Sequence, residues 1–352
     1  MKPDVEPQTV TMTVKLLTAK KQYKAAEVCW NTLTKTKNYY KPITHEECVA
    51  VQKKLFLTID HHWWVLNEAA RKAIRRLVDT IHKDPSINAL VCRATVDELI
   101  FKNLEQELHN RDQDSAHKRP FESVLEQLKC ALDSQIDTFE FFFPVNGLVL
   151  KDVESIGWES VELFVCDENS CTSLFSNFIG KGSSQQPEIL ELRRKHFEEA
   201  FLDRVLVKSV AYGDRETAEK KAYRQARDLI SFLRFTLCSL FHERITEQII
   251  RVSLSVEEYN SSHVFLSKRR SNDSVTKYGG GGRRPLQPFT IDKERLDDLS
   301  FHGYLRDFIS ISQSDTPTEV ESIILTAIHW IGEAQSEFDL DVAFIKYWTA
   351  LE

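Results

Sequence analysis

The stretch Arg204-Val205-Leu206-Val207-Lys208-Ser209-Val210-Ala211-Tyr212-Gly213-Asp214 decides how this chain reads. Branched apolar residues dominate 204–211 and predict a strand. Gly213-Asp214 interrupts it, and the clearest helical pattern of the chain follows, at Ala218, Ala222, Ala226, Leu229, Leu233, Leu237 and Leu240. Steps of four and three place these residues on one stripe, and its small alanine half lets another element come close. Extended runs at 249–256 and 263–266 come next, so strand, long helix and strand are expected to form one βαβ-type unit.

Working outward, Phe139, Phe141, Phe142 and Phe143 cluster before Pro144, and Val145-Asn146-Gly147-Leu148 reads as a turn into a second extended run. Residues 161–165 give a third run, since aromatic and β-branched residues between turn residues favour strands. Residues 180–186 read as a loop, and Pro187 suits the first turn of a helix over 187–203. Residues 25–132 read as helical. The best case has Asp60 as its N-cap, apolar or small residues at Trp63, Leu66, Ala70, Ala73, Leu77, Val78 and Ile81, and Asp84-Pro85 as its stop. Helices are expected at 94–109 and 121–132 around a loop at 110–120. Further helices are expected at 293–311, from Pro317 near a first helical turn, and from 339 onward. The fold class expected is α+β, mostly α. It comprises a helical region 1–135, an α+β region 136–290 with a small sheet, and a helical region 291–352.

The 352 residues include 21 Phe, 9 Tyr and 6 Trp, too much apolar bulk for a disordered chain. Only 11 Gly and 10 Pro exclude collagen-like classes. The net charge of −7 excludes a global basic field for nucleic acid, so any such contact must come from a local patch. The seven cysteines (Cys29, Cys48, Cys92, Cys130, Cys166, Cys171 and Cys238) are odd in number and scattered, as free thiols in a reducing compartment would be. The N-terminus carries no apolar signal region, and no apolar run approaches the ~20 residues that span a bilayer. A cytoplasmic location without membrane contact is expected.

Motifs for cofactors and metals fail on inspection. Gly180-Lys181 comes nearest to a phosphate loop, but Phe175 stands at the first glycine position and Gly182 at the hydroxyl position. His242-Glu243 is followed by Thr246, where a zincin needs its second histidine. Cys166 and Cys171 have no second Cys/His pair nearby and read as a strand-end turn. No nucleophile elbow or dinucleotide fingerprint occurs. No cofactor and no metal are therefore expected. Asp60-His61-His62-Trp63-Trp64 offers proton-transfer or ligand chemistry, yet a helix start with two exposed imidazoles explains it better. The basic residues Lys268, Arg269, Arg270, Lys277, Arg283 and Arg284 accompany Gly279-Gly280-Gly281-Gly282 in a flexible segment, 268–284. Such a loop would hold phosphates without reading sequence. The plainer alternative is a solvated loop, since only Tyr278 interleaves as a stacking platform.

Near the C-terminus stand Glu321-Ser322-Ile323-Ile324-Leu325-Thr326-Ala327-Ile328-His329-Trp330-Ile331-Gly332-Glu333-Ala334 and Ala343-Phe344-Ile345-Lys346-Tyr347-Trp348-Thr349-Ala350-Leu351-Glu352. These resemble the opening helices of Apea-like HEPN domains, in which an A-x-x-W-[LI]-G helix leads to one ending W-x-A-L-E. Ala327, Trp330, Ile331 and Gly332 match the first pattern, and Phe344, Trp348, Ala350, Leu351 and Glu352 the second. Trp330 and Trp348 are expected in a core on either reading. The resemblance implies a metal-independent ribonuclease of bacterial defence or toxin systems, with RNA as partner and dimerisation through these helices. It implies an Arg and a His four to six residues apart on a later helix. There His would exchange a proton with the ribose 2′-OH and Arg would hold phosphate charge. That motif would follow Glu352, so the chain reads as a sensing and scaffold portion cut early in the HEPN domain, and catalytically silent. Its catalytic residues are unknown. A non-catalytic interaction or nucleotide-sensing module is the alternative. Arg111-Asp112 with His117, and Arg75-Arg76 with His82, have acceptable spacing, but the family's role is transferred to neither.

Overall fold

The computed structural model describes residues 20–35, 39–43, 56–59, 62–113, 120–158, 160–178, 187–239, 251–252, 266–269, 289–297, 299–314, 316–335 and 340–352. The class is α+β and mostly helical, with a small sheet in the middle and helices at the C-terminal end. Two compact units are present, residues 1–137 with 212–217, and residues 138–211 with 218–352.

The first unit holds α1 (Lys20–Leu33), β1 (Tyr39–Ile43), β2 (Phe56–Ile59), β3 (His62–Leu66), α2 (Glu68–His82), α3 (Pro85–Asn88), α4 (Arg93–Gln113) and α5 (Phe121–Gln135). The three strands form an antiparallel sheet in the order β1-β3-β2, with Ile59 paired to His62. This corrects the expectation of an all-helical region. Trp63 and Trp64 satisfy helical spacing but also belong to the aromatic and β-branched set that strands prefer, and here the strand wins. Helix α2 accordingly starts after Asn67, whose side chain accepts from the Ala70 amide at 2.9 Å, and not after Asp60. Its apolar stripe, Ala70, Ala73, Ile74, Leu77, Val78 and Ile81, is buried as the spacing predicts. Asp84 ends that helix by capping α3, with Pro85 at its start. Helix α4 runs four residues further than the 94–109 pattern, through Gln113.

The first unit also includes the crossing from strand to long helix. Gly213 has a φ of +154° there, and an added Cβ would lie 2.9 Å from the Leu90 carbonyl oxygen. A side chain would be strained in conformation and short of space, so glycine is required. The Asp214 amide donates to that same Leu90 oxygen at 2.6 Å.

The second unit is built on β4 (Asp137–Asn146), β6 (Ser155–Trp158), β7 (Val161–Val165), β8 (Val205–Gly213), β9 (Arg251–Val252) and β10 (Leu266–Arg269). The strand order is β10-β4-β8-β7-β6, with β9 also on β4. The phenylalanine run alternates as a strand must. Phe139, Phe141 and Phe143 join the core with Ala218, Ala222, Ala226, Leu229 and Leu233 of α8 (Arg215–Ser239). Phe142 joins a separate core with Phe175 of α6 (Glu168–Phe178) and Phe197 and Phe201 of α7 (Pro187–Phe201). The sheet thus has α8 on one face and α6 with α7 on the other. Helix α6 was not expected; its Ser, Cys, Thr and Asn residues are weak helix formers, and packing of Cys171 and Phe175 holds it. After α8 the chain returns to the same sheet through β9 and β10, both antiparallel to β4. Most of the runs expected at 249–256 and 263–266 lies outside the described residues. A parallel pair joins β5 (Leu148–Lys151) to β11 (Phe289–Asp292).

Among the described residues this unit also holds four C-terminal helices: α9 (Lys293–Asp297), α10 (Leu299–Gln313), α11 (Glu319–Gln335) and α12 (Leu340–Leu351). Phe308 of α10 stacks on Phe232 of α8 with centroids 4.5 Å apart. Helix α11 opens with a capping box: the Thr318 amide donates to Glu321 Oε2 at 2.7 Å, and the Glu321 amide to Thr318 Oγ1 at 3.3 Å. Pro317 therefore precedes the cap instead of occupying the first turn.

Candidate functional site

Helix α8 carries a polar edge beside its apolar stripe, and this edge meets α11. Asp228, Ser231 and Arg234 are all buried. Arg224 Nε and Arg227 Nε lie 3.6 Å and 3.9 Å from the Asp228 carboxylate. Burial pushes the Asp228 carboxyl above its ordinary value, and the charges of Arg227 and Arg224 pull against that shift. Arg234 Nη1 donates to the Gly332 carbonyl at 3.4 Å and to Glu333 Oε1 at 3.3 Å. The two helices touch at the backbone here: a Cβ on Gly332 would sit 2.8 Å from Ser231 Cα. Only glycine allows that approach.

His329 stands one turn before Gly332 and is half-buried. Burial lowers its pKa; Arg227, Arg234 and Lys346 of α12 push the same way, and Glu333 opposes them. These influences together favour the neutral imidazole. His329 Nδ1, Ser231 Oγ and Arg227 Nε are buried without a hydrogen-bond partner among the described residues. In composition, a neutral histidine beside arginines can accept a proton and stabilise negative charge. In geometry these three atoms are shut off from solvent, so the seam acts as a latch between helices rather than an open reaction centre.

The residues singled out in the sequence are dispersed. Lys268 and Arg269 lie on β10, in register with Glu140 and Phe139 of β4, which corrects their assignment to a flexible loop. The ladder on β4 fixes their backbone. Arg270, Lys277, Arg283 and Arg284 lie outside the described residues. Arg75 is exposed and His82 half-buried on α2. Arg111 falls in the last turn of α4, and its partner His117 lies outside the described residues. Asp60 and His61 are outside as well, while His62, Trp63 and Trp64 belong to β3. Cys166 and Cys171 are buried, with Cys171 on α6 and not in a turn. Burial pushes the Cys166 thiol far up, reinforced by its contact with Cys171, so neither behaves as a reactive thiolate. Among the described residues no group of three or more His, Cys, Asp or Glu is placed to hold a metal ion. No helix there is long and apolar enough to cross a membrane.

The helices that carry the HEPN resemblance pack on each other as a pair. Ala327, Trp330 and Ile331 are half-buried and Gly332 is buried. The outer side of α12 differs: Phe344, Ile345, Trp348 and Leu351 are 67%, 62%, 55% and 83% exposed. Trp348 is thus not the core residue expected; its indole N–H donates to Glu352 Oε1 at 2.7 Å. No family model matches the chain, and no curated protein or solved structure matches it significantly.

Sequence reasoning passed over Arg227, Ser231, Arg234 and Glu333. Their signal was present as polar residues interrupting a buried helix edge, but the pairing of Arg234 with Gly332 and Glu333 spans about a hundred positions and leaves no local pattern.

Proposed function

We propose that this chain is the sensing and scaffold portion of a bacterial, cytoplasmic Apea-like HEPN protein that cleaves RNA without metal and assembles as a homodimer. The observation that carries the reading is the apolar outer side of α12, made by Phe344, Ile345, Trp348 and Leu351. Contiguous exposed apolar residues of this size mark association surfaces, and these are the residues of the W-x-A-L-E helix through which the resemblance implies dimerisation. The basic residues Lys268, Arg269, Arg270, Lys277, Arg283 and Arg284 are the proposed RNA contacts.

The test uses protein expressed from its native gene, with single-stranded RNA in EDTA. Expected is cleavage that leaves cyclic phosphate ends, the product of attack by a ribose 2′-OH. Light scattering should give a dimer that Phe344→Glu with Trp348→Glu converts to monomer. Intact RNA both with EDTA and with magnesium would overturn the nuclease reading. The same exposed side favours a second reading, a non-catalytic interaction module, which predicts the dimer without any cleavage.

A further inference from the structure

Among the described residues a cavity of about 380 Å³ lies between α8, α10 and α11. Phe232, Phe235, Phe308, Ile324 and Ile328 supply its walls. The one hydroxyl on the α8 side, Thr236 Oγ1, already donates to the Phe232 carbonyl. The interior therefore asks nothing polar of an occupant. Tyr304, Asp307 and Ile311 of α10 also line it, and Tyr304 and Asp307 are exposed. Among the described residues the Asp307 carboxylate contacts Arg306, whose Nε and Nη2 each lie 3.4 Å from its Oδ1, with both side chains largely in solvent, and such a pair holds weakly.

We propose that this cavity is a binding site for an organic amine with a flat two-ring apolar body. Size sets the body: an apolar cavity of ~150 Å³ takes a single benzene ring, and this one is more than twice as large. Its volume also falls in the range of small-molecule sites, which occur between the helices of bundles. Wall chemistry sets the character, because phenylalanine rings and isoleucines recognise an aromatic face and reward its removal from water. Lining chemistry sets the charge: Asp307 is the one charged side chain among the described residues that line the cavity, and it is exposed. The site is separate from the nuclease reading, and a ligand here would bridge α8 to the helices of the C-terminal group.

Calorimetric titration with three probes of one shape tests this: tryptamine, its alcohol counterpart tryptophol, and its carboxylate counterpart indoleacetate. Tryptamine is expected to bind at least tenfold more tightly than indoleacetate, with tryptophol between. Asp307→Asn, on the solvent side, should erase the preference for amine over alcohol and leave tryptophol binding intact. Ile324→Trp, at a position 42% exposed, should fill the cavity and abolish all three titrations while the melting temperature stays near that of the parent. Absence of binding by every probe to folded parent protein would overturn the proposal. So would binding that survives Ile324→Trp, or a preference for indoleacetate.

Discussion

Two buried polar clusters, one in each unit, contrast in how completely they are satisfied. In the first unit Asp214 is 2% exposed, and its carboxylate accepts from the Cys92 amide at 2.9 Å, Thr95 Oγ1 at 2.6 Å and the Thr217 amide at 2.9 Å. One side chain thus caps α8 and ties down the start of α4. In the second unit His329 Nδ1, Ser231 Oγ and Arg227 Nε are each buried without a hydrogen-bond partner among the described residues, and Arg227 Nε has only the 3.9 Å ion pair with Asp228. The first arrangement stabilises because every donor is met. The second is held by the Gly332 contact and the Arg234 pair while its polar atoms work against it. Burying polar groups is a cost, and satisfaction decides its sign.

The largest expected effect breaks the satisfied cluster. Asp214→Ala leaves the Cys92 and Thr217 amides without the acceptor that caps them and removes the charged acceptor of the Thr95 hydroxyl, and should cost about 3 kcal/mol in urea unfolding. A loss no greater than that of an exposed substitution would show the cap to be dispensable. Gly332→Ala comes next. Its Cβ meets Ser231 backbone, so the helices must part, at about 2 kcal/mol.

Acidification sharpens the comparison with a smaller effect. The folded-state pKa of His329 is lowered, so the unfolded chain takes up the proton first. The stability it lends is complete above the unfolded value, ~6.5, and is lost as pH falls below it. The melting temperature should therefore drop more steeply between neutral and mildly acid pH in the parent than in His329→Gln; parallel profiles would rule the residue out as the cause. Asp214 obeys the same sign lower on the scale. Burial raises its pKa, but the hydrogen bonds from Thr217, Thr95 and Cys92 outweigh burial and leave it lowered. Smallest of all is Ser231→Ala, which removes a hydroxyl with no partner and should stay within about 0.5 kcal/mol of the parent. A clear destabilisation there would mean that the hydroxyl is bonded in solution.

The sequence made regular elements legible wherever periodicity had one interpretation. The alanine and leucine stripe of α8 and the alternating phenylalanines of β4 each fit a single period, and both are buried accordingly. Trp63-Trp64-Val65-Leu66 fits two periods, and pairing with β1 and β2 decides for the strand. Helix α6 lacks propensity and exists through contacts that no local pattern records. The seam of Arg234, Gly332 and Glu333 was illegible for the same reason, since distant parts of the chain make it. The HEPN likeness pointed to the helix that contains His329 without indicating what faces it.

The parallel pairing of β5 with β11 places Phe289 beside Leu148, 141 positions earlier. Translation at ~5–20 residues per second means that the earlier strand emerges from the ribosome on the order of ten seconds before its mate exists. For that interval a ribbon of Leu148-Val149-Leu150 has an uncovered edge, and nascent chains nearby are its most accessible substitutes. Slow, dilute synthesis should accordingly yield more soluble protein than rapid overproduction.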